Sequence, residues 1–484
     1  MKISKDDLGR ILARFNPWWR GDAIPDLPEW HRASFREFFS WVSAPPVHRA
    51  VLLTGARQIG KTTLMLQAVS ELLKRGIPCS NILYATFDHP LLKLAGADDV
   101  LEVWRERESV SAAPEFLFLD EAQFIRDWGT WIKHQVDFQK NRHIAFTGSA
   151  MPLAEANQES GVGRWHTIRL GSLSFYEYTQ LRGVDLPSLP EVRSLQELRD
   201  WPITRFRRIS EMSSSYVPHF HEYLVRGGFP QTAQIESVDQ AQRILREDII
   251  DKVLKRDMTA LFGVRRILDL EQTFLYLCMH DGGLLDMGSL CVNLQVKRPT
   301  AQHFIEILEA AHLIYRLPPL GYGKEILRGR FKIYLTDAAI ASAVLLKGRS
   351  IIDDPTSLGI ATETSVFKHI FARVYEQNIR FSYWRGKKDQ EVDLIAETGN
   401  TLIPFEVKYR AEHIGVRELQ GFYEFLEQKG CVRGYVVTKS IHDFGIVFGP
   451  SGTKASVIQI PAPLLCYWLG ESEITQNIDD MTTV

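Results

Sequence analysis

Between Ala50 and about Leu170, short apolar runs alternate with stretches of helical spacing. The runs are Val51–Thr54, Ile82–Phe87, Phe116–Leu119 and Ile144–Thr147. Most are nearly uninterrupted, the pattern of strands buried on both faces of a parallel α/β sheet. A softer segment with prolines at 187, 190 and 202 follows. From there to Asp281 the pattern is mostly helical. Residues 284–318 predict a compact helical reader. Ser289–Leu294 forms a short helix, and Pro299-Thr300-Ala301 opens a second one, where the missing proline N–H is harmless. Leu313–Leu317 is apolar enough for a wing strand. From Gly359 to Val437 the order is helix, three strands, helix, strand.

The fold class expected is therefore α/β. A parallel P-loop-type sheet comes first, then a helical and winged-helix segment, then a smaller α/β domain. The boundaries fall at 1–185, 186–345 and 346–470, in keeping with about 150 residues per domain in a chain of 484. At 45% hydrophobic and 24% charged residues the composition excludes a disordered, collagen-like or coiled-coil protein. No apolar run approaches the roughly 18 residues that span a bilayer, and the polar N-terminus lacks a secretion signal. A cytoplasmic location with no membrane partner is expected. Cys79, Cys278, Cys291, Cys431 and Cys466 lie far apart without a CxxC, as reduced thiols do. The net charge of −2 gives no global case for nucleic acid, so any such case is local.

The first local chemistry follows the first apolar run. Val51–Thr54 leads into Gly55-Ala56-Arg57-Gln58-Ile59-Gly60-Lys61-Thr62-Thr63, and a helical stretch follows. Strand, GxxxxGK[ST] and helix form a phosphate-binding loop. Gly55 and Gly60 let backbone N–H groups curl around phosphate oxygens, with Gln58 and Thr63 completing the loop. Lys61 reaches the β- and γ-phosphates, and Thr62 is a ligand for Mg²⁺. Phe116–Leu119 ends in Asp120-Glu121, so Asp120 holds Mg²⁺ through water and Glu121 polarises the attacking water. Ile144–Phe146 ends in Thr147-Gly148-Ser149, which places a hydroxyl, that of Ser149, where it senses a γ-phosphate. Arg164 is a candidate for neutralising transition-state charge, in cis or across a subunit. The cofactors expected are ATP and Mg²⁺. The aromatic pair in Asn16-Pro17-Trp18-Trp19 either covers the nucleotide base or packs the N-terminal arm onto the core, and packing is the simpler reading.

The ordered motifs resemble a family of bacterial and archaeal ATP-binding proteins that join an AAA-type P-loop domain to a conserved C-terminal domain of unknown function. The resemblance rests on LLTGARQIGKTT at Leu52–Thr63, LDEAQ at Leu119–Gln123 with Asp127-Trp128, and FTGS at Phe146–Ser149. LGSLSFYEY at Leu170–Tyr178, GGFP at Gly227–Pro230 and YWRGKKDQEVD…FEVK from Tyr383 to Lys408 extend it over most of the chain. It also implies a winged-helix segment near residue 300. Residues 288–332 carry seven Lys/Arg (297, 298, 316, 324, 328, 330, 332) against three Glu (306, 309, 325), which suits phosphate contacts.

In the C-terminal segment Asp393 stands on one strand, and Glu406-x-Lys408 on its hairpin partner. Residues two apart on a strand share a face, so Glu406 and Lys408 point the same way. Two carboxylates with a lysine beside them can hold Mg²⁺ and activate water. The arrangement resembles the PD-(D/E)xK restriction-endonuclease-like core, and that resemblance implies Glu363 as an accessory acidic metal ligand. Val392 stands where such cores usually have proline. The sequence thus predicts an ATP-hydrolysing protein that acts on DNA. In it the ATP state controls a DNA-binding module that also cuts DNA if the C-terminal site is active. The alternative is an ATP-dependent switch whose nuclease-like domain only grips DNA or a protein partner. A homo-oligomer is compatible with either.

Overall fold

The computed structural model describes residues 3–108, 111, 113–148, 163–321, 329–374, 379–387, 390–399, 401–450 and 455–475. The chain divides into two compact units. The first comprises residues 1–171 together with the short excursion Ala310–His312; the second comprises 172–309 and 313–484.

The first unit is built on a five-stranded parallel sheet. Its strands are β1 (Ala50–Gly55), β2 (Ile82–Thr86), β3 (Glu115–Asp120), β4 (Arg142–Gly148) and β5 (Trp165–Leu170), in the order β2-β3-β4-β1-β5. Every residue of β1 is buried, and nearly every residue of β3 and β4 is too. This is the cost-free place for unbroken apolar runs, since helices cover both faces of such a sheet. β5 was not legible as a strand. It lies at the sheet edge, half exposed, and its sequence mixes His166, Thr167 and Arg169 with apolar residues. The helix after the loop begins at Lys61 and runs to Lys74, capped by Gly60 in the left-handed region at φ 98°. Trp18 and Trp19 do not line the loop. Both indole N–H groups donate to the Ile82 carbonyl, and the Asn16 amide brackets Tyr84 through its backbone N–H and C=O. They pin the N-terminal arm onto edge strand β2.

The second unit holds most of the helices, a hairpin of β6 (Ile314–Leu317) with β7 (Lys332–Leu335), and a six-stranded mixed sheet. That sheet consists of β8 (Arg380–Arg385), β9 (Glu391–Thr398), β10 (Thr401–Lys408), β11 (Arg433–Thr438), β12 (Gly445–Phe448) and β13 (Ser456–Pro461). Its order is β12-β13-β11-β10-β9-β8. β8, β9 and β10 are antiparallel neighbours, whereas β10, β11 and β13 run parallel. The helices Met287–Leu294 and Arg298–Ala310 precede β6. Helix Pro355–Val374 starts about one turn before Gly359, where the sequence pattern placed it, and carries Glu363.

Two motifs of the sequence meet here in a buried ion pair. Lys368 Nζ lies 3.3 Å from Asp337 Oδ2 and donates to the Leu173 carbonyl at 2.7 Å. The Ser172 hydroxyl and the Gly228 N–H donate to the same Asp337 oxygen at 2.6 and 2.9 Å. Glycine at 228 is required by space: a Cβ there would stand 2.5 Å from the Leu173 carbonyl oxygen. At Gly227, φ is +80° and a Cβ would meet Asp337 Oδ1 at 2.7 Å. The LSFYEY and GGFP motifs are thus structural, because they close a network in which a buried charge meets its opposite. Gly228→Ala is expected to cost about 1–3 kcal/mol through forced displacement of this network. Chemical denaturation checks it, and an unchanged midpoint would show that the network yields freely.

Candidate nucleotide site and carboxylate cluster

Parallel strands place their C-terminal ends along one sheet edge, so the loops after β1, β3 and β4 converge there. At Gly55, where β1 ends, a Cβ would stand 2.3 Å from the Leu170 carbonyl oxygen, a clash that only glycine avoids. Gln58 takes the left-handed region at φ 56°. Lys61 folds back, donating to the carbonyls of Gly55 and Ala56 at 2.8 and 2.9 Å. Its ammonium is thereby held inside the loop that phosphates enter. Arg32 braces the outside, donating to the carbonyls of Ile59 and Gly171, each at 3.0 Å.

Asp120, at the end of β3, gathers three hydroxyls. Thr62 and Tyr84 donate to Oδ2 at 2.8 and 2.9 Å, and Thr147 donates to Oδ1 at 2.5 Å. Thr147 Oγ1 also accepts the Glu121 N–H at 2.9 Å. That bond holds Glu121 at φ 53°, a conformation that costs a side-chain-bearing residue about 1–2 kcal/mol. Burial pushes the Glu121 carboxyl upward, and the nearby Lys61 charge opposes the shift. A buried carboxylate beside a threonine hydroxyl is the donor set that a hydrated Mg²⁺ uses, so Thr62 and Asp120 fit the ion. When bound with a nucleotide, such an ion neutralises phosphate charge. With a nucleotide bound, Lys61 would face its phosphates and Glu121 would stand to orient a water.

Of the remaining predicted residues, Ser149 lies outside the described residues. Thr147 in the same motif is already engaged by Asp120 and Glu121. Arg164 is not brought to the loop. It precedes β5, its guanidinium pairs with Asp137 at 3.0 Å, and its backbone accepts from Ala50. Ala50 starts β1, so Arg164 stands a strand length from the phosphates, at the opposite edge of the sheet. The structure thus does not bring Arg164 together with Lys61 and Glu121. The sequence also gave no sign of His312, whose Nε2 meets Thr54 Oγ1 at 3.0 Å beneath the loop. Burial, with Arg169 and Lys61 nearby, pushes its imidazole down to about 3, so it is neutral.

In the second unit, Glu363, Asp393, Glu406 and Lys408 do come together. Lys408 Nζ pairs with Glu406 Oε1 at 2.5 Å. Glu406 Oε2 accepts the Asp393 N–H at 3.3 Å, and Asp393 Oδ2 accepts the Val407 N–H at 2.9 Å. The unforeseen member is Lys332, the first residue of β7. Its ammonium lies 3.0 Å from Asp393 Oδ1 and 3.4 Å from Glu363 Oε1, and it also pairs with Glu391. The Tyr334 hydroxyl donates to Glu363 Oε1 at 2.6 Å. Burial works against the Lys332 charge, but Asp393 and its acidic neighbours outweigh it and hold the lysine protonated. Glu363 and Glu406 are raised by burial and by Asp393. Both oxygens of Asp393 and of Glu406 are engaged by nitrogen donors. Among the described residues no group of three or more His, Cys, Asp or Glu side chains is arranged to hold a metal ion. As arranged, this cluster does not fit Mg²⁺.

Comparison with known proteins gives three matched segments. Residues 47–179 match the profile of an AAA domain. Residues 217–350 match a domain of unknown function (DUF8612), and residues 358–461 match another (DUF4143). An uncharacterized protein of Haemophilus influenzae is 24% identical over 368 residues, covering 74% of this chain and 82% of that protein. One from Mycobacterium tuberculosis is 27% identical over 372 residues, covering 75% and 71%. Among solved structures, the Walker-type ATPase PABY2304 of Pyrococcus abyssi aligns with a TM-score of 0.37 at 15% identity, over 67% of this chain and 99% of that one. The match over residues 47–179 identifies that segment as an AAA-type P-loop domain. No helix among the described residues is long and apolar enough to cross a membrane.

Thr147→Val removes the hydroxyl that joins Asp120 to Glu121. ATP turnover is expected to fall about 100-fold, the size of losing one positioned donor, with nucleotide affinity nearly kept. Lys61→Ala is expected to lose both. Phosphate-release and fluorescent-nucleotide binding assays check the pair, and parent-like turnover in Thr147→Val would remove this residue from the site.

Proposed function

We propose that this protein binds and hydrolyses ATP to control a DNA-binding module in its second unit. The observation that carries the ATP half is the Thr62–Asp120–Thr147–Glu121 network at the mouth of the phosphate loop. In this reading Lys61 holds the phosphates, and Glu121 activates the attacking water with ATP and Mg²⁺ as cofactors. Arg164 serves only if a second copy of the chain presents it.

The DNA half is supported by Lys297 and Arg298, both exposed at the start of helix Arg298–Ala310. Met287–Leu294, Arg298–Ala310 and the β6–β7 hairpin follow one another as in a winged helix, whose second helix reads DNA. Not all of the positive charge counted in the sequence serves such a surface. Arg316 is paired with Glu309 at 2.7 Å, and Lys332 is spent on the carboxylate cluster. Lys324 and Arg328 lie outside the described residues.

A second reading is favoured by Lys332 itself. With an ammonium among Glu363, Glu391 and Asp393, the nuclease-like domain acts as a grip for DNA or a protein partner rather than as a blade. No cleavage step is derived for it.

The test combines both halves. Lys297→Glu with Arg298→Glu should weaken binding to duplex DNA, most strongly at low salt, and should flatten the salt dependence by about one slope unit per lost phosphate contact. ATP should shift the affinity of the parent, and Glu121→Gln should hold the ATP-bound affinity. An affinity that is identical in parent and double variant across the titration, and indifferent to ATP, would sink the DNA reading while leaving the ATPase standing.

A further inference from the structure

We infer that Lys332 is the resident cation of the Asp393–Glu406 cluster, standing where a divalent ion would otherwise be held, and that the parent chain binds no metal there. The inference bears on the grip reading above but does not depend on DNA or ATP.

The geometry carries it. Four carboxylates, Glu363, Glu391, Asp393 and Glu406, meet two ammonium groups, Lys332 and Lys408. Lys408 pairs with Glu406, its same-face neighbour two residues back along β10. Lys332 instead enters from a different element, β7, and contacts three of the acids. Its side chain is 3% exposed, so its charge is matched by these acids and not by water. A buried lysine has no reason to reach the centre of an acidic cluster unless it supplies the charge that the acids lack. Tyr334, two residues on from Lys332 along β7, donates to Glu363 from the same face. The hairpin therefore delivers both a cation and a hydroxyl to acids on helix Pro355–Val374 and strand β9. Binding a metal at Asp393 would bring a second cation to within contact of a buried ammonium, which like-charge repulsion opposes.

The full-length chain without nucleotide is titrated with Mn²⁺, and bound ion is counted by the loss of the free-ion electron paramagnetic resonance signal. Parent and Asp393→Asn should bind the same number of ions. Lys332→Met should bind one more Mn²⁺ per chain, the gain should vanish in Lys332→Met with Asp393→Asn, and Mn²⁺ should raise the melting temperature of Lys332→Met but not of the parent. Should Lys332→Met fail to fold, Lys332→Gln carries the same test, because it keeps a hydrogen-bond donor while losing the charge. An Asp393-dependent Mn²⁺ site in the parent overturns the inference, as does a folded charge-free variant that gains no site. Either failure leaves the ATP and DNA measurements untouched, since neither ligand is present.

Discussion

A carboxylate withdrawn from water must be met by donors or by positive charge, and three buried aspartates fix the architecture of this chain by that rule. Asp120 is met by three hydroxyls: Thr62, Tyr84 and Thr147. Asp337 is met by an ammonium, a hydroxyl and a backbone N–H. Asp393 is met by a backbone N–H and by Lys332. The differences in partner decide the differences in use. Hydroxyls can be displaced by or shared with a hydrated ion, so the Asp120 site stays open to chemistry. Ammonium groups held at 5% exposure (Lys368) and 3% exposure (Lys332) are fixed counter-ions, so the Asp337 and Asp393 sites behave as joints.

The phosphate loop shows how far strand geometry alone carries function. Glu121 and Thr147 come from different strands, yet parallel pairing puts both strand ends at the same edge as Lys61. The same geometry removes Arg164, because a residue that precedes a parallel strand is delivered to the opposite edge. Its pairing with Asp137 gives it a structural occupation there.

Much of this was legible in the chain. Unbroken apolar runs announced β1 to β4, and the glycine-rich loop with Asp120-Glu121 announced which loops come together after β1 and β3. Period-two spacing placed Glu406 and Lys408 on one face. What escaped the sequence was whatever depends on distant pairing. Lys332 lies 61 positions from Asp393, and nothing around it distinguishes it from the surface-type basic residues of the same segment. His312 and Arg32 likewise reach the loop by tertiary folding rather than by motif. β5 was hidden because an edge strand needs no apolar pattern on its open face. The glycine-rich GGFP motif was visible, but its reason, the crowding of Asp337 and Leu173, is spatial.

The hairpin has a consequence for how this chain can be divided. Sequence profiles part between residues 350 and 358, with β7 on one side and Glu363, Glu391 and Asp393 on the other. The backbone reinforces the charge contact: Tyr383 of β8 exchanges hydrogen bonds with Pro318 and Leu320, and its hydroxyl donates to the Arg330 carbonyl at 2.6 Å. A cut at that profile boundary would leave an ammonium without its acids in one fragment and acids without their ammonium in the other. What is matched as two modules is therefore, electrostatically, a single piece.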